Sequence, residues 1–255
     1  MRDSLRRIGL GTTLVITVAL VVVACPSPGG AATPAAPAVP RPLVVLFGDS
    51  MLSETSAAVR ASLRALKPAW EVEVRAFPGT GICSWLDEMR ATDAQAVALL
   101  FTGVVFTDCI LNQRKWPEAY LSDAVSAASI FRAKGTEVIW LGWPRPARHV
   151  VSPHLDDTIW HYYKQVAGEY GEHVADPGVA LFDPALGKYP MTMPCLTPSE
   201  LGCAGGRVRV RDARGGHLCP LTDLSGPCPV YSSGVRRYAL AAARAVADAL
   251  PRMPV

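Results

Sequence analysis

Short apolar runs that end at glycine or proline alternate with helical patterns along most of the chain. The clearest run is Leu43 to Phe47, five apolar residues that stop at Gly48-Asp49-Ser50. A helical pattern follows from about Ser53 to Leu66. A continuous apolar run closed by a turn signal is typical of a strand buried on both faces of a parallel sheet. The pattern therefore predicts a strand, a turn at Ser50 and then a helix.

The same alternation continues as far as the C-terminal part of the chain, and it predicts an α/β fold with a mostly parallel sheet covered on both sides. From Pro184 to Pro229 the pattern dissolves into glycine, proline and cysteine, and disulfides would explain how such a stretch is held. The further predicted strands are Val72 to Phe77, Ala96 to Phe101, Glu137 to Leu141 and a short one near Val174, and the further helices are 117–133, 157–170 and 232–250.

The N-terminus has the pattern of a secretory signal. Arg2, Arg6 and Arg7 precede an apolar stretch from Ile8 to Ala24. The sequence Val-Val-Ala-Cys that ends at Cys25 resembles the bacterial lipobox, which implies cleavage before Cys25 and lipidation of that cysteine. An ordinary signal peptide or an uncleaved membrane segment are the alternatives.

These features divide the chain into three parts: a lipoprotein signal peptide (1–24), a lipidated cysteine with a Pro/Ala-rich tether (25–42) and one domain (43–255). We expect an exported lipoprotein on the extracytoplasmic side of the membrane, in contact with it through the lipid. Removing residues 1–24 takes away three arginines and one aspartate and leaves 22 basic and 21 acidic side chains. Such a balance gives no electrostatic surface for nucleic acid, so we expect no nucleic-acid partner.

The cysteine count agrees with export. With Cys25 assigned to the lipid, six cysteines remain, an even number in an oxidising compartment. Six cysteines allow about 15 pairings, and the sequence alone does not choose among them. Spacing suggests Cys83–Cys109, Cys195–Cys203 and Cys219–Cys228. A zinc cluster is the competing interpretation, although the chain has no Cys-x-x-Cys pair and only His217-x-Cys219 is closely spaced.

Candidate chemistry lies where the first three strands end. Ser50 is at the carboxyl end of its strand and at the start of a helix, where a hydroxyl can attack a carbonyl and free amides can receive the oxyanion. Gly79 and Gly81 follow the second strand and Gly103 the third, all expected at the same edge of the sheet. The alternative is that Ser50 only caps the helix.

A general base must come from elsewhere in the chain. Of the five histidines, His161 and His173 have the pattern of surface residues, whereas His149 and His154 lie in a loop that could line a pocket. His217 comes just before the last helix, between Gly215-Gly216 and Cys219-Pro220. Glycines on one side and a disulfide on the other would hold its ring without regular structure.

In combination these residues resemble the SGNH/GDSL hydrolases, and more closely their exported actinobacterial members and the SGNH domains of cell-envelope acyltransferases. The resemblance covers roughly residues 43 to 250. It is carried by Gly48-Asp49-Ser50, by Gly79-Thr80-Gly81-Ile82-Cys83-Ser84-Trp85, by Gly103, by Cys109 and by His217-Leu218-Cys219-Pro220. It implies a three-layer α/β/α sandwich with a mostly parallel, flavodoxin-like, five-stranded sheet.

The resemblance also implies roles for single residues. Ser50 would be the nucleophile and His217 its general base. The backbone N–H groups of Ser50 and Gly79 would form the oxyanion hole, with Gly81 the alternative glycine and Gly103 a further member. We expect no cofactor and no metal.

Two positions depart from the family pattern. The family usually has an asparagine after the third-strand glycine as an oxyanion donor, and this chain has Val104 there. It also usually has an aspartate three residues before the histidine, and this chain has Arg214. The nearest acid is Asp212, which could orient the ring of His217 by reaching around the glycine turn.

The resulting expectation is an ester hydrolase or O-acyltransferase that acts on acyl groups of envelope glycans or lipids through Ser50 and His217. A degenerate SGNH domain that binds a glycan or a partner protein without turnover is the main alternative. A purely structural lipoprotein is the third. The acyl group, the acceptor and the oligomeric state stay open.

Overall fold

A computed structural model describes residues 41–103, 107–111, 115–147, 153–221 and 225–251, with only the helical backbone at 153–156. The signal peptide, Cys25 and almost all of the tether lie outside the described residues. The strands are β1 (Leu43–Gly48), β2 (Glu71–Ala76), β3 (Ala96–Leu100), β4 (Glu137–Leu141), β5 (His173–Ala175), β6 (Thr192–Pro194) and β7 (Arg207–Arg209). The helices are α1 (Ser50–Leu66), α2 (Leu86–Ala91), α3 (Asp108–Leu111), α4 (Glu118–Lys134), α5 (Pro153–Tyr170) and α6 (Ser233–Ala249), with 3₁₀ turns at Ile82–Ser84 and Pro177–Leu181.

Five strands form one sheet in the order β2-β1-β3-β4-β5, and every neighbouring pair is parallel. The strands β1, β3 and β4 are almost wholly buried, which is why their sequences are continuous apolar runs. The helices α1 and α6 pack on each other, as do α4 and α5, so that two helical layers cover the sheet. The expected three-layer sandwich with a parallel, flavodoxin-like sheet is confirmed.

The segment after β5 holds more structure than its composition indicates. The strands β6 and β7 form a small antiparallel ribbon, with Met193 opposite Val208. The disulfide Cys195–Cys203 closes the loop between them. No helix among the described residues is long and apolar enough to cross a bilayer.

The strand order places a ligand site at a predictable point. The chain runs from β1 outward to β2 and then returns to β3 on the other side of β1, so the connections leave the sheet in opposite directions between β1 and β3. In open parallel sheets, ligands bind at the carboxyl ends of the strands beside such a switch point. Ser50 follows β1 and Gly103 follows β3.

Candidate active site

Ser50 is the first residue of α1, and the helix cap is its neighbour. Asp49 is the N-cap, with its Oδ1 accepting a hydrogen bond from the amide of Met51 at 3.0 Å. The interpretation of Ser50 as a mere cap is therefore wrong. Its side chain is partly exposed, and within the described residues its hydroxyl has no hydrogen-bond partner. A free hydroxyl at a helix N-terminus is available for chemistry.

Asp49 holds this turn against the neighbouring strand. Its Oδ2 accepts hydrogen bonds from the amide of Thr102 at 2.6 Å and from the Thr102 hydroxyl at 2.7 Å. Burial raises the pKa of Asp49, and the hydrogen bonds from Thr102 and Met51 oppose that rise. With three donors already on its carboxylate, Asp49 positions the nucleophile turn.

His217 lies in a loop fixed from beneath by Arg211. This buried guanidinium donates to the carbonyl oxygens of Gly216 at 3.2 Å and Arg145 at 2.7 Å. The amide of Asp212 donates to the carbonyl of His217 at 2.9 Å, which closes a tight turn. The His217 side chain is 48% exposed, so one side of the ring faces solvent.

The contact that locates the ring is with Glu54. The Nδ1 atom of His217 lies 3.4 Å from Oε2 of Glu54, whose side chain is only 5% exposed. The pKa of His217 is raised, first by its hydrogen bond with Glu54, while burial works against the rise and the charges of Glu54, Asp212 and Asp49 add to it. With Nδ1 directed at a carboxylate, the Nε2 lone pair is left for a proton from a nucleophile.

The expected role for Asp212 needs correction. Its Oδ1 accepts hydrogen bonds from the amides of Gly215 at 2.7 Å and His217 at 3.2 Å. The carboxylate therefore supports the backbone of the turn, and Glu54 is the acid at the ring. Arg214, which stands where the family pattern has its aspartate, is exposed to solvent.

Sequence reasoning missed Glu54, although the chain carried a signal for it. Glu54 comes four residues after Ser50, the spacing that puts two side chains on one face of a helix. Its neighbours Leu52, Ser53 and Thr55 are all buried. An acid on the buried face of a helix, one turn from a candidate nucleophile, needs a partner.

The oxyanion-hole candidates can be ranked by which amides are already occupied. The amide of Gly81 donates to the Ser84 hydroxyl at 3.3 Å. Within the described residues, the amides of Ser50, Gly79 and Gly103 donate to no other group. Gly79 has φ +78°, and nothing lies within 4 Å of the position where a Cβ would sit. The free amides thus favour Gly79 over Gly81.

Disulfides support both ends of the site. The structure contains the three bonds that spacing suggests, Cys83–Cys109, Cys195–Cys203 and Cys219–Cys228. The first joins the turn after Gly81 to α3. The third closes the loop that follows His217, and it uses Cys219, so the alternative His217-x-Cys219 zinc pair is not present.

The remaining positions that the sequence singled out are either exposed or outside the described residues. His161 and His173 are exposed, as their pattern predicts. His149, the side chain of His154, and Val104 lie outside the described residues.

Comparisons with known proteins agree with this architecture. The sequence matches no protein-family model, and no curated protein matches it closely enough to report. Among solved structures, TesA superposes with a TM-score of 0.53 at 17% identity, covering 82% of this chain and 99% of TesA. The acetylxylan esterase Axe2 from Geobacillus stearothermophilus gives 0.51 at 16%, covering 81% and 93%. A protein from Slackia heliotrinireducens described as an SGNH hydrolase gives 0.50 at 18%, covering 81% and 100%.

The chain has the SGNH hydrolase fold. At 14–18% identity the likeness concerns the fold, and the chemistry must be argued from this chain's own residues.

Proposed function

We propose that this domain is an exported serine esterase or acyl hydrolase, or a related O-acyltransferase, that acts on ester-linked acyl groups of envelope glycans or lipids. Ser50 is the nucleophile and His217 the general base. One observation carries the proposal: His217 contacts Glu54, which is one helical turn from Ser50 on α1. The base therefore contacts the helix that begins at the nucleophile, one turn along from Ser50.

The substrate class rests on three supports. Free amides beside Ser50 suit the oxyanion of acyl transfer. Axe2 is described as an acetyl-xylooligosaccharide esterase, which favours a small acyl group on a glycan. The N-terminal signal pattern favours substrates outside the cytoplasm, and a lipid on Cys25 would keep the domain near the membrane.

The reaction follows a serine acyl-transfer sequence. Ser50 Oγ attacks the ester carbonyl carbon, and its proton moves to Nε2 of His217. The C–O bond to the alcohol breaks, and the alcohol takes that proton, which leaves an acyl-serine ester. His217 then removes a proton from water, or from an acceptor hydroxyl in the transferase case. The oxygen of that water or hydroxyl attacks the acyl carbon, and the bond from this carbon to Ser50 Oγ breaks as Oγ takes the proton from His217. The acyl group leaves as a carboxylic acid or as a new ester, and Ser50 regains its proton.

The oxyanion that forms in both tetrahedral intermediates needs donors in place beforehand. The amides of Ser50 and Gly79 are the proposed pair, with Gly103, three residues after the end of β3, as the third. Gly79 suits this role because its backbone is open to an approaching ligand.

A second candidate is a domain that binds an acylated glycan or a partner protein without turnover. Two observations favour it. Within the described residues the Ser50 hydroxyl and the His217 ring share no hydrogen bond, and Val104 replaces a side-chain donor. Serine and histidine in ligand-free enzymes are often too far apart or poorly aligned for that bond, so its absence does not decide against catalysis.

The test is covalent labelling of the full-length protein in mild detergent with a fluorophosphonate probe, together with p-nitrophenyl acetate hydrolysis. We expect labelling and turnover that disappear in Ser50→Ala and fall at least about 10³-fold in His217→Ala. Ser56→Ala is the matched control, because Ser56 is a partly exposed serine of the same helix whose hydroxyl, within the described part of the chain, bonds only the Ser53 carbonyl. A properly folded wild-type protein that neither reacts with the probe nor hydrolyses the ester overturns the esterase proposal in favour of binding.

A further inference from the structure

We propose that Glu54 is the positioning carboxylate of this site, which orients His217 from α1 in place of an aspartate three residues before the histidine. The inference rests on the proposed function of Ser50 and His217. Within that function it assigns a role that neither the sequence motifs nor the fold supplies.

The Glu54 carboxylate is held in a fixed orientation. Its Oε1 accepts a hydrogen bond from the amide of Leu218 at 3.0 Å, and its Oε2 accepts one from the amide of Cys219 at 3.1 Å. The same Oε2 lies 3.4 Å from Nδ1 of His217. Two backbone donors thus fix a buried acid against the ring, which is the support that a positioning group requires.

The main chain of Glu54 contributes as well. Its carbonyl oxygen accepts a hydrogen bond from the amide of Cys228 at 2.9 Å. Since Cys219 and Cys228 form a disulfide, Glu54 contacts both ends of the loop that follows His217. The base-bearing segment is therefore fastened to the helix that carries the nucleophile, at a position one turn away from it.

The other charged groups around the ring have different partners. Asp49, at the start of α1, is occupied by Thr102 and Met51. Asp212 supports the amides of Gly215 and His217 in the loop itself. Arg211, beneath that loop, donates to backbone carbonyls. Among the described residues Glu54 is the only carboxylate within ion-pair distance of the ring.

The contact has two chemical consequences. A carboxylate at Nδ1 keeps the proton on that nitrogen, so that Nε2 can accept the proton of Ser50. It also stabilises the imidazolium that forms when Ser50 attacks. Both effects operate in the chemical step more than in substrate binding, so kcat should respond more than KM.

The experiment uses Glu54→Gln in the full-length protein, because glutamine keeps one oxygen that can accept a hydrogen bond from a backbone amide but loses the negative charge. We expect kcat for p-nitrophenyl acetate to fall about 10²–10⁴-fold with KM changed by less than about 3-fold. The acid limb of kcat/KM should move to lower pH, because losing the carboxylate lowers the His217 pKa. Glu54→Asp, which keeps the charge, should recover part of the lost kcat and should return the acid limb of kcat/KM part of the way towards its wild-type pH.

Glu172→Gln is the matched control. Burial raises the pKa of Glu172 to about 7, its hydrogen bond with Trp140 opposing the rise, so it is a second partly buried glutamate that titrates near neutral pH. It lies at the amino end of β5, whereas Ser50 follows the carboxyl end of β1. Its substitution should leave kcat and the acid limb unchanged. NMR titration of the imidazole nitrogens supplies a readout without turnover: the His217 pKa should exceed about 6.5 in the wild type and fall in Glu54→Gln.

The outcomes separate the two proposals. A wild type that is not labelled by the fluorophosphonate overturns the esterase and the role of Glu54 with it. A labelled wild type whose Glu54→Gln variant is folded and keeps its kcat and acid limb overturns the role of Glu54 alone. If Glu54→Gln does not fold, the wild-type titration decides, and a His217 pKa at or below about 6.5 counts against the contact.

Discussion

Asp49 and Thr102 are joined by two hydrogen bonds to one carboxylate oxygen, from the amide at 2.6 Å and from the hydroxyl at 2.7 Å. These bonds connect the residue before the candidate nucleophile to the residue before Gly103. The turns that follow β1 and β3 are therefore held in one arrangement before any substrate arrives. Preorganisation of this kind is what an oxyanion site requires.

Thr102→Val tests the second of these bonds. Removing the hydroxyl should destabilise the protein by about 1–3 kcal/mol wherever Asp49 is ionised, because the lost bond then goes to a buried carboxylate. It should also raise the folded-state pKa of Asp49 further, since the Thr102 bond opposes the rise that burial causes. The loss of stability should be complete where Asp49 is ionised and should shrink as the pH falls through its folded pKa. Urea unfolding at several pH values measures this.

Thr136→Val is the control for that prediction. The Thr136 hydroxyl is also buried, but it donates to the neutral carbonyl oxygen of Ala94 at 2.9 Å. Its loss should cost about 0.5–1.5 kcal/mol at every pH. Equal pH dependence in the two variants would show that the Asp49 carboxylate is not the group that responds.

Gly48→Ala should disrupt the turn before Ser50. A Cβ at Gly48 would lie 2.5 Å from the carbonyl oxygen of Leu100 and 2.6 Å from the Cβ of Leu52. Since both neighbours are buried in the core, we expect a loss of at least about 2 kcal/mol and a lower kcat. Gly168→Ala, in α5 with open space around it, should instead stabilise by about 0.5–1 kcal/mol. Thermal unfolding of both variants provides the comparison, and a neutral Gly48→Ala would contradict the packing described.

Removal of the disulfide beside His217 should affect stability and catalysis together. Cys219→Ala with Cys228→Ala opens a loop whose ends both bond Glu54. We expect a cost of about 2–3 kcal/mol and a fall in kcat, because the ring of His217 loses its fixed position.

The Cys195–Cys203 bond is the matched comparison, because it closes a loop of nearly the same length, 8 residues of separation against 9. Its removal should cost about as much in unfolding free energy, about 2–3 kcal/mol, and leave kcat within about 2-fold. A similar fall in kcat for both pairs would mean that general loosening, rather than the position of His217, explains the effect.

The sheet was predictable from sequence because its strands are buried on both faces. Runs such as Leu43 to Phe47 and Ala96 to Phe101 are short and are followed by glycine turns, which favours strands over buried helices, and both are strands. The ribbon of β6 and β7 was not predictable, since each strand has three residues in a segment rich in glycine and proline. The start of α1 was placed three residues late, at Ser53, because the pattern does not show that Asp49 is the cap.

The site was predictable in part, for a different reason. Ser50 and His217 carry motif signals that depend on local sequence. Glu54 belongs to no motif, and its one local signal is the four-residue spacing from Ser50, because its contact with His217 joins residues 163 positions apart. The family pattern directs the search to the position three residues before the histidine, which is Arg214 here, and then to the nearest acid, Asp212. The Asp212 carboxylate accepts hydrogen bonds from backbone amides instead. The spacing from Ser50 marks Glu54 as a candidate, but only the packing of the 217–219 segment on α1 shows that its partner is His217.

The raised pKa of His217 predicts a pH-dependent share of stability. A histidine whose folded-state pKa lies above its unfolded value adds stability that is fully present below about pH 6.5. That share is lost as the pH rises through the folded-state pKa. His217→Asn should therefore lower Tm more at pH 5.5 than at pH 8.5, relative to wild type. In the Glu54→Gln background the difference between the two pH values should be reduced, because the first cause of the raised pKa is gone.

Val104→Asn tests whether a missing donor limits the rate. Gly103 lies after the end of β3, and the next residue is Val104, where the family pattern has an asparagine. Loss of one oxyanion donor costs about 10²–10³-fold in kcat where it has been measured, so a restored amide should raise kcat by about 10-fold or more with little change in KM. Val104→Leu, which adds no donor, should leave kcat unchanged or lower. An unchanged rate in Val104→Asn would mean that the amides of Ser50, Gly79 and Gly103 already stabilise the oxyanion without a side-chain donor.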